Sequence, residues 1–333
     1  MKKKLLSFIF LIGAPLTLMA SVWLKFIKKR GIGKVNDKIL MFVGMLPLID
    51  NYYEPLINPK KYLINSLRKD RKLNGIDFNI DEQLKLIENF KFNQELVHFP
   101  VEKNENFKFY HNNGSYSYGD AEYLYNIVRY FKPSKFIEIG SGNSTLMVRN
   151  AVKANQFENK NYTCNHTCIE PYEQPWLEQL DVKLIREKVE HLDYSIFKNL
   201  EKNDILFIDS SHTVKVGSDV NYIILEILPR LKPGVIVHFH DIFIPYDYNR
   251  NTLSTFFHWS ETTLLRAFLI NNKNARIVFC MSHLHYDAKS TLKEVFPEYN
   301  PQNDKDGLLD EKYVNFEQIH QEHFPSSIYI EIV

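Results

Sequence analysis

Short apolar runs punctuate the C-terminal two thirds of the chain, each bounded by glycine, proline or charge. Residues 136–139, 167–169, 182–185, 205–208, 235–239, 276–281 and 327–333 read as buried strands. Between them lie stretches of helical period or helical composition, at 121–131, from 146 onward, and at 171–180, 191–200, 256–270 and 287–295. Strands alternating with helices predict an α/β domain, a mainly parallel sheet with helices on both faces and ligands at the carboxyl ends of the strands.

The N-terminal third follows another pattern. Leu5 to Leu24 is free of charge, with Lys2, Lys3 and Lys4 before it and Lys25, Lys28, Lys29 and Arg30 after it. As a helix rising about 1.5 Å per residue, it spans roughly 30 Å, the thickness of a hydrocarbon core. Leu18 and Met19 fill the positions where a cleaved signal would carry small residues, so the run reads as a membrane anchor, either spanning or, with Gly13 and Pro15 interrupting the helix, re-entrant or interfacial. The larger basic cluster follows it and assigns the body to the cytoplasm. Residues 31–108 carry a helix-like apolar stripe at Leu84, Leu86, Ile87 and Phe90 and little that suggests chemistry. The expected division is 1–30 anchor, 31–108 helical accessory region and 109–333 catalytic domain.

The strand at 136–139 breaks at Gly140-Ser141-Gly142 and opens into a helix with Asn143, Ser144 or Thr145 available as its cap. Glycines there let the backbone bend and a ligand approach closely, at a helix end that offers unpaired N–H groups. Glu138 interrupts an otherwise apolar strand, Thr145 stands where a dinucleotide fingerprint has its third glycine, and the next strand ends in Glu170. This E-x-G-x-G pattern with a strand-end acid resembles the class I S-adenosylmethionine-dependent methyltransferases. The resemblance implies a Rossmann-like seven-stranded sheet. It further implies that Glu138 and the turn from Gly140 through Ser144 hold the amino-acid end of the cofactor, that Glu170 holds its ribose, and that Val189 and Glu190 lie at the adenine. Gly114, Ser115 and Tyr118, in the loop before the first strand, become candidate wall residues.

Two further strands end in charge, at Asp209-Ser-Ser-His212 and at His240-Asp241. Methyl transfer to a hydroxyl needs the acceptor proton removed, by a base or with a cation that lowers its pKa. Asp209 and Asp241 are hard oxygen donors suited to Mg²⁺, and His212 titrates in the right range for a base. Asp-x-x-His followed by an acid after the fifth strand is similar to Mg²⁺-dependent sugar O-methyltransferases, their cephalosporin-hydroxylase-like relatives and membrane-anchored methyltransferases of bacterial surface polysaccharides. That likeness implies Asp209, His240 and Asp241 as the metal set, with His240 in place of an acid, and His212 as the base.

Composition narrows the partners. The 333 residues carry a net charge of +1, which argues against nucleic acid. Three cysteines make no disulfide framework, and Cys164-Asn-His166-Thr-Cys168 lacks the second pair of a zinc finger. Farther on, His258 and Glu261 share a helix face that reads as solvated, and His283 and His285 read as loop. The expected protein is a membrane-associated O-methyltransferase with S-adenosylmethionine, Mg²⁺ as a candidate second cofactor, and a sugar or glycan acceptor. A homo-oligomer is compatible with it. The competing readings are a non-catalytic nucleotide- or partner-binding protein with this fold, and an NAD-dependent oxidoreductase, disfavoured by Glu138 and the missing glycine.

Overall fold

The computed structural model describes residues 2–54, 72–104, 109–172, 174–246, 259–296, 299 and 325–333. The chain divides into two compact units, Met1–Ile64 and Asn65–Val333. The first contains α1 (Lys2–Arg30), with Pro15 inside it, and α2 (Lys34–Val43). Within α1, Lys4–Arg30 is long and apolar enough to cross a membrane.

The second unit is a seven-stranded sheet: β1 (Lys135–Ile139), β2 (Asn165–Ile169), β3 (Lys183–Ile185), β4 (Ile205–Ile208), β5 (Ile236–Phe239), β6 (Ala275–Cys280) and β7 (Ile328–Ile332). The order is β3-β2-β1-β4-β5-β7-β6, with β1 to β5 parallel and β7 antiparallel to both its neighbours. Order reverses between β1 and β4, the place where such sheets open a ligand crevice. All four side chains of β4 are buried, as a central parallel strand requires. Each contributes roughly 1.5–3 kcal/mol by leaving water.

Residues 72–104 belong to this unit. Within α3 (Ile80–Glu88), Gln83 reaches the Cys280 N–H through Oε1 at 2.9 Å, and Ile87 enters the core together with Phe90 just beyond the helix. The 109–119 loop leads into α4 (Asp120–Phe131), and α5 (Asn143–Glu158) follows β1. The helices expected at 171–180 and 191–200 are replaced by short turns at Pro175–Gln179, Val189–His191 and Tyr194–Ile196, too brief to bury an amphipathic face. The C-terminal part holds α6 (Glu261–Leu269), α7 (Met281–Asp287) and α8 (Lys289–Val295). His283 and His285 therefore lie on a helix rather than in a loop, and buried His285 pairs through Nδ1 with the Tyr299 hydroxyl.

Candidate active site

The glycine turn is held where β1 meets β4. Gly140 has φ 80°, and a Cβ on it would lie 1.8 Å from the Asp209 carbonyl oxygen. The Gly140 N–H donates to Ile169 O at 3.0 Å, and the Asp209 N–H to Ile139 O at 2.8 Å. A side chain at 140 would force the two strand ends apart. Gly142 is different, since a Cβ there meets nothing within 4 Å. Thr145 caps α5 by accepting the Gly142 N–H at 3.1 Å, and Asn143 ties the turn to the preceding loop through Ser115 Oγ at 2.7 Å.

A cleft of about 590 Å³ opens over this turn. Gly140, Ser141, Gly142, Asn143 and Ser144 form its floor, Glu170, Val189 and Glu190 one wall, and Asp209 the other. Glu138, assigned with them from sequence, is absent from the lining. Its buried carboxylate accepts from Ser144 Oγ at 2.5 Å and Thr145 Oγ1 at 2.7 Å, with His166 Nε2 at 3.1 Å. Placed this way, it braces the turn from beneath. The same arrangement brings Glu138, His166 and Cys168 together without Cys164. Burial pushes the Cys168 thiol well up, so in the absence of a metal it is held as the neutral thiol. In the covering loop Ser115 and Tyr116 line the cleft, whereas Tyr118 is buried and stacks on His111 at 4.0 Å between ring centroids.

The chemistry expected of an adenosyl cofactor can be tested against this cleft. Backbone at Gly142 is open to close approach, and the Ser141 hydroxyl in the floor is buried with no hydrogen-bond partner among the described residues. Glu170 directly follows β2, with one carboxylate oxygen taking the Tyr172 N–H at 2.9 Å. The residues fit the group.

The second half of the edge is a cluster of charge. His212 Nε2 lies 3.2 Å from Asp209 Oδ1 and 3.5 Å from Asp241 Oδ2, and its Nδ1 lies 2.8 Å from Glu261 Oε2. His240 Nδ1 is 3.5 Å from both Asp209 Oδ1 and Asp241 Oδ2, with Nε2 3.7 Å from Asp120 Oδ2. Both imidazoles are buried, and both aspartates keep an open edge. His212 and Asp241 hold φ values of 56° and 54°, a strained backbone that the surroundings fix. Amides at the start of α6, Ser260 N–H at 2.8 Å and Glu261 N–H at 3.1 Å, clamp the His212 carbonyl.

Burial opposes every charge in this cluster, and the ion pairs overcome it for four of the five groups. Hydrogen bonds that His212 donates to Asp209 and Glu261, with the charge of Asp241, raise its pKa well above the ordinary value, and Asp241 and Asp209 do the same for His240. The two imidazoles in turn hold Asp209 and Asp241 below the usual carboxylate range. Glu261 is the exception, where burial raises the pKa despite His212. One oxygen from each aspartate and one nitrogen of His240 lie within 4.8 Å of one another, a donor set that fits a divalent cation.

Glu261 and Asp120 were not legible as site residues. Asp120 reads as a helix cap, yet it is the first residue of α4, and its carboxylate receives the Ser326 N–H at 3.1 Å. The cap is Gly119, whose N–H donates to Glu122 at 2.6 Å. Glu261 turns inward to His212 and accepts from Ser210 Oγ at 3.2 Å, so its face is not solvated as expected; His258, expected on the same face, lies outside the described residues. The expected helix at 256–270 placed the acid in its interior, and its start at Glu261, which turns the carboxylate inward, was not visible.

Comparison with known proteins gives a consistent result. Residues 137–242 match a family model described as a methyltransferase domain. An uncharacterized protein of Archaeoglobus fulgidus is 31% identical over 175 residues, covering 49% of this chain and 77% of its own length. Among solved structures, a putative protein-L-isoaspartate O-methyltransferase from Plasmodium falciparum, bound to S-adenosyl-L-homocysteine, is 17% identical over 47% of this chain and 83% of its own, with a TM-score of 0.27. The plantazolicin methyltransferase BpumL, also with that ligand, is 12% identical over 76% and 98%, with a TM-score of 0.29. Scores this low add nothing to the strand order and the family match.

Proposed function

The chain belongs to the class I S-adenosylmethionine-dependent methyltransferases, and from that premise we propose that it methylates an oxygen, a sugar hydroxyl of a glycan or glycoconjugate. The observation that carries this reading is His212 suspended between Glu261 and the two aspartates, one of which also walls the cofactor cleft. The cofactor supplies the methyl group on a sulfonium centre. The turn from Gly140 to Ser144 would receive its amino-acid end, with Glu138 bracing that turn, Glu170 would take the ribose, and Val189 and Glu190 would contact the adenine.

Asp209, His240 and Asp241 would hold Mg²⁺, whose charge lowers the pKa of an acceptor hydroxyl. His212 takes the acceptor proton at Nε2, while Glu261 on Nδ1 fixes the ring's orientation and tautomer. With both aspartates ionised and uncompensated the imidazole stays protonated, so its basic form depends on their charge being neutralised. The apolar helix α1 is read as the anchor that keeps the enzyme at a membrane, with the catalytic unit on the cytoplasmic side.

The test is calorimetric titration of the full chain with S-adenosylhomocysteine, with and without Mg²⁺, followed by a screen of glycan acceptors. Micromolar binding is expected, together with His212→Gln leaving affinity unchanged and slowing transfer on the order of 100-fold or more. Equal affinity in wild type and Glu170→Ala would remove the ribose assignment. Transfer at the wild-type rate in His212→Gln would remove the base.

A further inference from the structure

Only Gly31-Ile32-Gly33 separates α1 from α2, and both glycines have positive φ, 86° and 74°, so the chain turns sharply there. In α2, at about 100° per residue, Val35, Ile39, Phe42 and Val43 fall in one sector roughly 100° wide. A stripe of that width normally faces a core. Here the four side chains are 72%, 55%, 91% and 68% exposed, while Leu40, toward the other side, is the buried one. Lys34 and Lys38 border the stripe. Exposure of apolar side chains continues past the Gly44 cap through Met45, Leu46 and Leu48 to Tyr52 and Tyr53.

The segment also closes on itself. Lys28 Nζ, in the last turn of α1, meets Glu54 Oε1 at 3.2 Å, so residues 31–53 leave from and return to the basic end of the apolar helix. We infer that α2 is a lipid-surface helix, lying in the headgroup layer of an anionic bilayer with its Val35/Ile39/Phe42/Val43 face at the acyl boundary. The inference rests on reading α1 as the anchor. With α1 in the bilayer, Lys28 to Arg30 stand at the headgroups, and the Lys28–Glu54 pair keeps the whole loop at that level.

A lipid surface suits this face better than a second copy of the chain. Lys28, Lys29, Arg30, Lys34 and Lys38 against Asp37, Asp50 and Glu54 give residues 28–54 five positive charges and three negative, a net of +2, with all five cations between 28 and 38. Two such segments repel each other, whereas anionic headgroups attract each cation by about 1 kcal/mol. A ten-residue helix is about 15 Å long, too short a patch for the roughly 800 Å² per partner of a stable interface. Interfacial helices bury their apolar face only about 5–10 Å deep, and tyrosines such as Tyr52 and Tyr53 favour the same layer.

The experiment uses the full chain in nanodiscs of phosphatidylcholine containing phosphatidylglycerol, with Cys164→Ser as background, because Cys168 and Cys280 are buried. An environment-sensitive dye is placed in turn at Ile39→Cys, Phe42→Cys, Asp37→Cys and, within α1, Leu11→Cys. Dyes at 39 and 42 are expected to shift to the blue and lose most of their emission to a shallow lipid nitroxide, while 37 stays wet and 11 is quenched by a deep one. Dyes at 39 and 42 as wet as 37, with 11 still quenched, would overturn the surface helix and leave the anchor standing. Dry labels at 39 and 42 that lipid nitroxide does not quench, and that become wet on dilution of the chain, would assign the face to a second copy and equally overturn it. An unquenched label at 11 would remove the anchor itself, and the inference with it.

Discussion

The two halves of the sheet edge hold their groups by different means. Beside β1 and β2 the site is shaped by backbone: a glycine at positive φ, a carbonyl in contact with it, and a hydroxyl-capped helix. Beside β4 and β5 it is shaped by charge, with Asp209, His212, His240, Asp241 and Glu261 balancing one another. The first half is intolerant of added atoms. The second is intolerant of changed charge, and His238 shows how local that is. It lies two residues before His240 with ring centroids 6.2 Å apart, stacked on Phe207 and bonded through Nε2 to Ser327 Oγ at 2.9 Å. Burial drives its pKa well below 6.5 while that of His240 is driven well above.

The sharpest break in the comparison is Gly140→Ala. The added Cβ would sit 1.8 Å from the Asp209 carbonyl oxygen in a left-handed backbone, and strain plus overlap should cost roughly 3 kcal/mol or more. Thermal unfolding should show a markedly destabilised protein. Gly142→Ala is the control, with φ −169° and open space around the new methyl. It should keep the wild-type melting temperature and weaken S-adenosylhomocysteine about tenfold, near 1.4 kcal/mol. Equal destabilisation by both would show that the turn is not set by contact with β4.

In the charged half, Glu261→Gln should leave cofactor affinity unchanged and reduce transfer roughly 10- to 100-fold, because the His212 ring loses the carboxylate on Nδ1. Glu261→Asp should recover part of that loss. If Gln impairs binding and rate together, Glu261 acts through the fold and not through His212.

What was legible in sequence follows the same division. A glycine turn between a buried strand and a helix announces itself locally, as does an acid at a strand end, so Gly140 to Ser144, Glu170 and Asp209 could be picked out and all line one cleft. The strands were readable because central parallel strands are continuous apolar runs. Unreadable were the facts that depend on distant chain. The antiparallel entry of β7 brings Ser326 to Asp120 and Asp241, 206 and 85 residues away. Glu138 looked like a ligand group because an acid in a buried strand needs a partner, and its partners Ser144, Thr145 and His166 come from the next helix and strand.

Protonation gives a smaller effect with a definite sign. His238 and His285 are buried and neutral, with burial the leading cause, and His285 is pushed down to about 3. Their unfolded forms take a proton near pH 6.5, so the stability they contribute is complete above that value and is lost as pH falls below it, down to about 3 for His285, by up to about 1.4 kcal/mol per pH unit each. His212 and His240 are raised, so their contribution is complete below pH 6.5 and is lost as pH rises through their folded pKa values. With chelator present, urea unfolding across pH should peak near the ordinary imidazole value. His238→Phe should flatten only the acid limb, and a change confined to the alkaline limb would reverse the assignment of the two histidines.

The smallest effect tests whether the halves communicate. The Gly119 N–H donates to the Glu122 carboxylate at 2.6 Å, closing the first turn of α4, and that turn carries Asp120, which faces His240 and binds the Ser326 N–H. Glu122→Gln keeps an acceptor oxygen but gives up a charge at a helix N-terminus, a loss of about 0.5–1 kcal/mol. Chemical denaturation should register that decrement, with S-adenosylhomocysteine affinity unchanged, because none of the α4 residues lines the cleft. Affinity that falls along with stability would mean that the charged half passes displacements of Asp120 through His240 and Asp209 to the glycine turn. The contact between the Asp209 carbonyl and Gly140 would then be the joint between the two halves, and not merely a place where they touch.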